Sequence, residues 1–155
     1  MRRACEDDIE FIDGLFRLPH VMRFLEAPGR AAIEATLEDP NTESYVIEER
    51  GKPAGHFLLH NHEWLFVFNV MAIRRQRRGA GTFALRWALH RAFVECAAHR
   101  VFLEIREDNR VSRGLCEKLG FVAEGRYRDG FRDARGRYRD LVPYGMLESN
   151  FMNIA

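Results

Sequence analysis

Lysine is almost absent from this chain, although basic residues are common. Lys52 and Lys118 are the only lysines among 24 basic residues, so nearly every cation is an arginine. There are 23 acidic residues and the formal net charge is +1, so neither sign of charge dominates. A nucleic acid or an anionic membrane favours a strong basic excess. Neither is therefore expected as a partner, and an arginine-rich RNA-binding module is an alternative that this balance disfavours.

Cysteine and long apolar runs are also scarce. Cys5, Cys96 and Cys116 are odd in number and form no C-x-x-C pair, which speaks against a disulfide framework and a thiolate zinc site. The longest apolar run, 64–73, is interrupted by Asn69 and is too short to cross a bilayer. The acidic start of the chain has no apolar core typical of a signal peptide. We therefore expect a cytoplasmic protein with no membrane segment.

Three histidines lie close together in the sequence. His56, His60 and His62, with Glu63, span a predicted strand and turn. They lack the H-E-x-x-H spacing that places two ligands on one helix face, and no cysteine accompanies them. We interpret them as structural histidines and expect no metal site.

The size and patterning indicate one domain over residues 1–155. A chain of 155 residues with 46% apolar and 30% charged residues can bury a core without disulfide or metal support. Helical periodicity and strand-like patterns alternate along it. Helices are predicted over 9–16, from Pro19, over 30–37, 81–96 and 109–119, and strands over 44–49, 53–60, 64–73, 101–105, 121–132 and 137–147. This order predicts an α/β fold with a central mixed, mostly antiparallel twisted sheet and helices on both faces.

A glycine loop lies between the long apolar strand and an amphipathic helix, over 74–82. Glycines allow close approach of the backbone, and the N–H groups and dipole of a helix start favour an anion such as a pyrophosphate. A P-loop is excluded because no lysine precedes Thr82. The dinucleotide pattern G-x-G-x-x-A is met by Gly79, Gly81 and Ala84. However, too little parallel sheet follows for a dinucleotide-binding fold.

A third pattern, Q/R-x-x-G-x-G/A, is met by Gln76, Gly79 and Gly81. About 25 residues later the chain reads L-E-I-R at 103–106, then Asn109, then L-C-E-K-L-G-F at 115–121. These two blocks, in this order, resemble the acetyl-CoA motifs of the GNAT superfamily of N-acetyltransferases. The tail is similar to the branch that contains ribosomal-protein N-terminal, spermidine and antibiotic acetyltransferases. The resemblance covers 64–147 and implies a GNAT-like fold with acetyl-CoA as co-substrate.

The resemblance also implies how acetyl-CoA would be held. The strand before the loop would be splayed from its neighbour by a bulge, so that its backbone pairs with the pantetheine arm and an N–H near Met71 holds the oxyanion. Asn109 would be a further contact in the second block. The implied cofactor residues are Met71, Ala72, Ile73, Gln76, Arg77, Arg78, Gly79, Ala80, Gly81, Thr82 and Asn109.

Two residues are implied in catalysis. Glu104 matches the family glutamate and would be the base that takes a proton from the amine. The alternative is a surface ion pair between Glu104 and Arg106 or Arg126. Cys116 stands where the family has its tyrosine acid, so it is either a proton donor or only a packing residue. The other groups that could serve as this acid are a water molecule, Tyr127 and Tyr144.

These observations predict an acetyl-CoA-dependent N-acetyltransferase that acts on a primary amine by direct attack. A protein or peptide N-terminus and a small-molecule amine both remain open as acceptors, as do a monomer and a homodimer. The alternative is a catalytically degenerate protein that senses acetyl-CoA without turnover.

Overall fold

The computed structural model describes residues 1–76 and 78–152. It is an α/β domain built on a mixed, mostly antiparallel sheet, as the sequence predicts. The strands are β1 (Arg2–Arg3), β2 (Thr42–Glu49), β3 (Lys52–His62), β4 (Leu65–Ile73), β5 (Arg100–Arg106), β6 (Val122–Ala123), β7 (Tyr127–Arg132) and β8 (Tyr138–Leu147). The helices are α1 (Ile9–Phe16), α2 (Pro19–Met22), α3 (Arg30–Glu38), α4 (Ala80–His90), α5 (Arg110–Lys118) and α6 (Glu148–Met152).

The sheet has the strand order β1-β2-β3-β4-β5-β8-β6, and β7 pairs with β8. Strands β4 and β5 are parallel, whereas the other pairs are antiparallel. Pairing between β4 and β5 runs only from Leu65–Arg100 to Val67–Phe102. Beyond that point the two strands part, which opens a gap in the middle of the sheet.

A bulge in β4 accompanies this gap. Phe57 pairs with Met71 and Leu59 pairs with Phe68, so β4 has one more residue than β3 between the two pairs. A bulge bends its strand and leaves backbone groups outside the ladder. The splay that the family resemblance implies before the glycine loop is therefore present.

Two apolar cores lie on opposite faces of the sheet. One joins the sheet to α4 and α5 and contains the fully buried Phe57, Phe66 and Leu85. The other joins α1, α2 and α3 to the sheet and includes Ile12 and Ala72. Each large apolar side chain that is buried in this way contributes about 2 kcal/mol. Helices on both faces therefore hold the edges of the gap in place.

Several details differ from the sequence prediction, among them helix α6 (Glu148–Met152), which was not predicted. The single strand predicted over 121–132 is two strands, β6 and β7, because Gly125 between them takes φ +156° and breaks the extended run. The helix predicted to reach Cys96 ends as α4 at His90 and continues as a π-helical turn over Arg91–Glu95. Strand β1 was not predicted, since two residues are too few for a period. No helix of the described residues is long and apolar enough to cross a membrane.

Candidate active site

A cavity of about 1240 Å³ opens where β4 and β5 part. Its walls are the end of β4, the second half of β5, the first turns of α4 and α5, and the segment of α2. Because strands β4 and β5 no longer pair there, backbone groups on both edges of the gap face the cavity. The arrangement suits an extended ligand that adds its own hydrogen bonds to the sheet.

The start of α4 faces this cavity. Gly79 caps the helix in the left-handed conformation, with φ +84°, and its carbonyl oxygen accepts a hydrogen bond from the N–H of Phe83 at 2.9 Å. The next residues, Ala80, Gly81 and Thr82, also line the cavity. Their N–H groups have no partner within the helix, and they lie at the positive end of its dipole. This end of the cavity is suited to an anion.

The start of α5 faces the same cavity. Asn109 caps this helix, because its side-chain oxygen accepts a hydrogen bond from the N–H of Ser112 at 3.2 Å. Both residues line the cavity. Two helix N-termini therefore converge on one space, in addition to the unpaired edges of the sheet.

Most of the cofactor residues that the sequence indicates meet at this cavity. Ala72 is fully buried among the residues of the α1–α3 core. Arg78 does not line the cavity but a neighbouring shallow depression of about 330 Å³, whose other lining residues include four cations. Arg77 lies outside the described residues. The cavity-lining members are Met71, Ile73, Gln76, Gly79, Ala80, Gly81, Thr82 and Asn109.

Glu104 is exposed on β5 and lines the cavity. The structure forms neither of the two alternative ion pairs of Glu104, with Arg106 or with Arg126. Arg106 instead binds Asp108 at 2.7 Å, and Arg126 binds Asp140 and, at 3.3 Å, Glu107. Within the described part of the chain, Glu104 therefore has no ion-pair partner and its carboxylate faces the cavity.

Cys116 also borders the cavity, but it is only 3% exposed. Burial raises the pKa of its thiol to about 12. A CoA thiolate is the base of a thiol whose pKa is about 8.5, so proton transfer from Cys116 would cost about 5 kcal/mol. Of the two roles that the sequence left open, these properties favour packing.

The two tyrosines considered as substitutes lie elsewhere. Tyr144 is fully buried, donates a hydrogen bond to Glu117 at 2.7 Å and accepts one from Arg113 at 3.1 Å. Burial is the main cause that raises its pKa. Tyr127 is 47% exposed on β7. Neither residue lines the cavity.

Sequence reasoning missed a bridge across the wide end of the gap. The Nε2 atom of His20 in α2 lies 2.7 Å from the carbonyl oxygen of Ile73 at the end of β4. On the other side, Arg106 at the end of β5 donates a hydrogen bond to the carbonyl oxygen of Arg23 at 2.9 Å. We call this feature, formed by α2 and its two contacts, the α2 bridge. No motif signals it, since both contacts join residues more than 50 positions apart.

Among the described residues, no group of three or more His, Cys, Asp or Glu side chains is placed to hold a metal ion. His60 and His62 stack with ring centroids 6.5 Å apart, and the contacts of His56 and His60 are to polar side chains of the sheet.

Comparisons with known proteins agree with this geometry. The model of the acetyltransferase (GNAT) family matches residues 9–121. Spermidine N(1)-acetyltransferase of Escherichia coli strain K12 is 23% identical over 163 residues, which cover 98% of this chain and 87% of that protein. YdaF of Bacillus subtilis, a candidate ribosomal N-acetyltransferase, is 37% identical over 71 residues, 46% of this chain and 38% of that protein.

The fold has close relatives among solved structures. The spermidine N-acetyltransferase of Vibrio cholerae, solved in complex with CoA and spermine, superposes with a TM-score of 0.85 at 22% identity and covers 98% of this chain and 96% of that one. At that identity the likeness concerns the fold. The family match covers most of the chain and includes the glycine loop and both helix starts that face the cavity. The chain therefore belongs to the acetyltransferase (GNAT) family and is an N-acetyltransferase that uses acetyl-CoA as its co-substrate.

Proposed function

We propose that this enzyme transfers the acetyl group of acetyl-CoA to a small-molecule primary amine, with Glu104 as the base. The observation that carries the proposal is the position of Glu104. Its carboxylate faces the cavity between β4 and β5 and has no ion-pair partner among the described residues. A carboxylate in that position is available to a substrate.

The proposed reaction is direct attack of the amine on the thioester. An alkyl amine has a pKa near that of lysine, about 10, so it must lose a proton before it attacks at neutral pH. Glu104 accepts this proton, directly or through a water molecule. The amine nitrogen then bonds to the thioester carbon, the C–S bond breaks, and the CoA thiolate takes up the second proton, which the acylated nitrogen loses as the amide forms. No acid from Cys116 is required, because a thiolate is already a good leaving group.

The backbone would hold the acetyl-CoA. The unpaired edge of β4 from Met71 to Ile73 faces the gap, and the N–H near Met71 would stabilise the oxyanion. The pyrophosphate would lie against the N–H groups at the start of α4, between Gln76 and Thr82. In this arrangement the carbonyl oxygen of Ile73 is shared with His20 of the α2 bridge.

The charges around the cavity favour an acceptor with one amine. Of its three carboxylates, Glu107 and Asp108 are already paired with arginines, which leaves Glu104. Three arginines line the cavity without a carboxylate partner among the described residues: Arg23, Arg75 and Arg110. The acidic residues Glu26, Glu34 and Asp129, from the helical N-terminal region and the final hairpin, do not line the cavity. A polyamine would carry several positive charges into a space with one available carboxylate.

A matched pair of variants tests the proposal. Glu104→Gln removes the proposed base, whereas Glu107→Gln changes a carboxylate that lines the same cavity but is paired with Arg126. Initial rates are measured on a panel of primary amines, and acetyl-CoA affinity is measured by calorimetry. We expect kcat to fall about 100-fold or more in Glu104→Gln, with acetyl-CoA affinity unchanged and Glu107→Gln close to wild type.

Two results would contradict the proposal. Equal losses of kcat in both variants would mean that the cavity needs negative charge in general, without a specific base. A wild type that binds acetyl-CoA and acetylates no amine of the panel would favour the sensor alternative instead.

A further inference from the structure

A row of polar side chains crosses one face of the sheet and ends at the cavity. Thr42 on β2 is paired with His60 on β3, and His60 is paired with Val67 on β4. Asn69 follows Val67 by two residues, so it shares that face and lies diagonally beside His60. The Nδ2 atom of Asn69 lies 3.0 Å from Nε2 of His60.

Glu104 lies across the gap from the last residue of this row, Asn69. Val67 is the last residue of β4 that pairs with β5, and its partner is Phe102. Two residues further along each strand are Asn69 and Glu104, on opposite edges of the gap and on the same face of the sheet. Both side chains are exposed and line the cavity.

The hydrogen bonds of the row fix which end of the Asn69 amide faces His60. The hydroxyl of Thr42 donates its only hydrogen to Asp39, and this bond lowers the pKa of Asp39. Toward Nδ1 of His60, 2.8 Å away, the Thr42 oxygen can then only accept. The imidazole must carry its hydrogen on Nδ1, and burial lowers the pKa of His60 so that this neutral form is favoured. Nε2 is left as an acceptor, and Asn69 must offer it the NH₂ group.

The amide oxygen of Asn69 is thereby left for the cavity. Among the described residues, no hydrogen bond to that oxygen is formed. A neutral primary amine has two N–H groups and one lone pair. When the proton reaches Glu104 through a water molecule, one remaining N–H is donated to a Glu104 carboxyl oxygen and the other to the Asn69 oxygen, so the amine is held from two sides and the lone pair that the lost proton leaves faces the thioester carbon.

We propose that Asn69 binds the acceptor amine opposite Glu104 through its side-chain oxygen, and that Asp39, Thr42 and His60 are positioning residues that hold this oxygen toward the cavity. This inference rests on the proposed function, because it assumes that the amine lies at Glu104. It assigns specificity for primary amines to a residue outside both sequence motifs.

The arrangement also has a pH dependence. When His60 is protonated, both ring nitrogens are donors. The Asn69 amide must then turn its oxygen toward His60, and its NH₂ group faces the cavity, where it repels an amine N–H. The charged or titratable groups around His60 are His62 on β3, Asp39 before β2 and Glu104 across the gap. The charge of His62 opposes protonation of His60, whereas Asp39 favours it.

Kinetics of three variants test the proposal. Asn69→Leu removes the amide at similar size, and Thr42→Val removes only the hydroxyl that sets the tautomer of His60. Asn61→Ala, at the turn end of β3, is the control, because Asn61 binds the turn and does not line the cavity. We expect the KM for the amine to rise about tenfold in Asn69→Leu and about threefold in Thr42→Val, with the KM for acetyl-CoA unchanged. Asn61→Ala keeps both KM values.

The pH profile adds a readout that a loss of structure would not give. As the pH falls below 6.5, where His60 becomes protonated, the amine KM of wild type should rise more steeply than that of Asn69→Leu with the same amine. An amine KM within twofold of wild type in Asn69→Leu overturns the inference while the Glu104→Gln result still supports the proposed function. Parallel losses of acetyl-CoA affinity in Asn69→Leu and Thr42→Val also overturn it, because they indicate only a damaged sheet. A wild type without amine acetylation overturns the proposed function and this inference together.

Discussion

A β-carbon built on Gly81 would lie 3.3 Å from Cδ2 of Leu115 and 3.3 Å from Cδ1 of Ile73. The first turn of α4 therefore packs directly against α5 and the end of β4. A side chain at Gly81 would enter this apolar junction, whereas a side chain at Gly79 would meet nothing within 4 Å. Gly79 is thus the position at which the proposed pyrophosphate site can be altered without disturbing packing.

The first prediction compares Gly79→Asp with Gly79→Asn. Both residues tolerate the left-handed conformation of this position better than other side chains do, and they differ by one negative charge. In Gly79→Asp that charge lies where the pyrophosphate would bind. We expect calorimetry to give an acetyl-CoA Kd about tenfold or more higher for Gly79→Asp than for Gly79→Asn. Equal Kd values for the two variants would contradict the placement of the pyrophosphate at α4.

The second prediction concerns the role of Cys116. If its buried side chain only packs, Cys116→Ala loses part of a small apolar contact, about 1 kcal/mol of the free energy of unfolding. The kcat should stay within about threefold of wild type, and the basic limb of the pH–rate profile should not move. Urea unfolding and rate profiles measure the two effects. A 100-fold loss of kcat in a stable variant would instead identify Cys116 as the acid.

The third prediction concerns Gly55, which pairs with Ile73 beside the gap. A β-carbon at Gly55 would lie 2.9 Å from the carbonyl oxygen of Ala72 and 2.9 Å from Cδ1 of Ile47. Because the backbone cannot yield as a side chain can, Gly55→Ala should lower the free energy of unfolding by about 2 kcal/mol. The control is Gly14→Ala, in the exposed middle of α1 with no neighbour within 4 Å, which should be neutral or stabilising by up to about 1 kcal/mol. Similar unfolding midpoints for the two variants would show that the contact at Gly55 is unimportant.

The fourth prediction concerns stability in acid. His56 is buried, one of its ring nitrogens lies 2.9 Å from the hydroxyl of Ser44, and the other has no hydrogen-bond partner among the described residues. Burial lowers its pKa from 6.5 to about 4. As the pH falls below 6.5 the unfolded chain takes up a proton that the folded protein does not, so stability is complete above that pH and is lost toward pH 4.

Variants isolate this contribution. His56→Leu should make the loss of the free energy of unfolding between pH 6.5 and 4 less steep by up to about 1.4 kcal/mol per pH unit. His62→Gln, at an exposed position, should keep the wild-type slope. Denaturation by urea at a series of pH values gives both slopes, and an unchanged slope in His56→Leu would mean that other groups cause the loss.

The fifth prediction concerns the acceptor. Because Glu104 is the one available carboxylate among the described residues that line the cavity, an aliphatic monoamine should have a higher kcat/KM than spermidine. A peptide with a free N-terminus forms the third arm of the comparison. Preference for spermidine would contradict the charge argument, and preference for the peptide would identify a protein N-terminus as the acceptor. Because charge attraction weakens with salt, the comparison is repeated at low and high ionic strength.

The sequence predicted much of this architecture because its signals are local. Gln76 and Gly79 mark a helix start after an apolar strand, and Asn109 marks the second start, so both loops could be placed before the structure was known. The roles of these residues in binding acetyl-CoA stay predictions. The α2 bridge and the contact between His60 and Asn69 could not be predicted, because they depend on strand register, on the bulge in β4 and on chain segments that are distant in sequence.

The α2 bridge joins the ends of the two strands that border the gap. One of its contacts holds the strand edge that would receive the pantetheine arm, and the other holds the strand that carries Glu104. A ligand that spreads the strands must move α2, and a ligand that rests on α2 must resist that spreading. Such coupling is reciprocal in free energy. Each substrate is therefore expected to change the equilibrium affinity of the other by the same factor, and this short helix would carry that coupling.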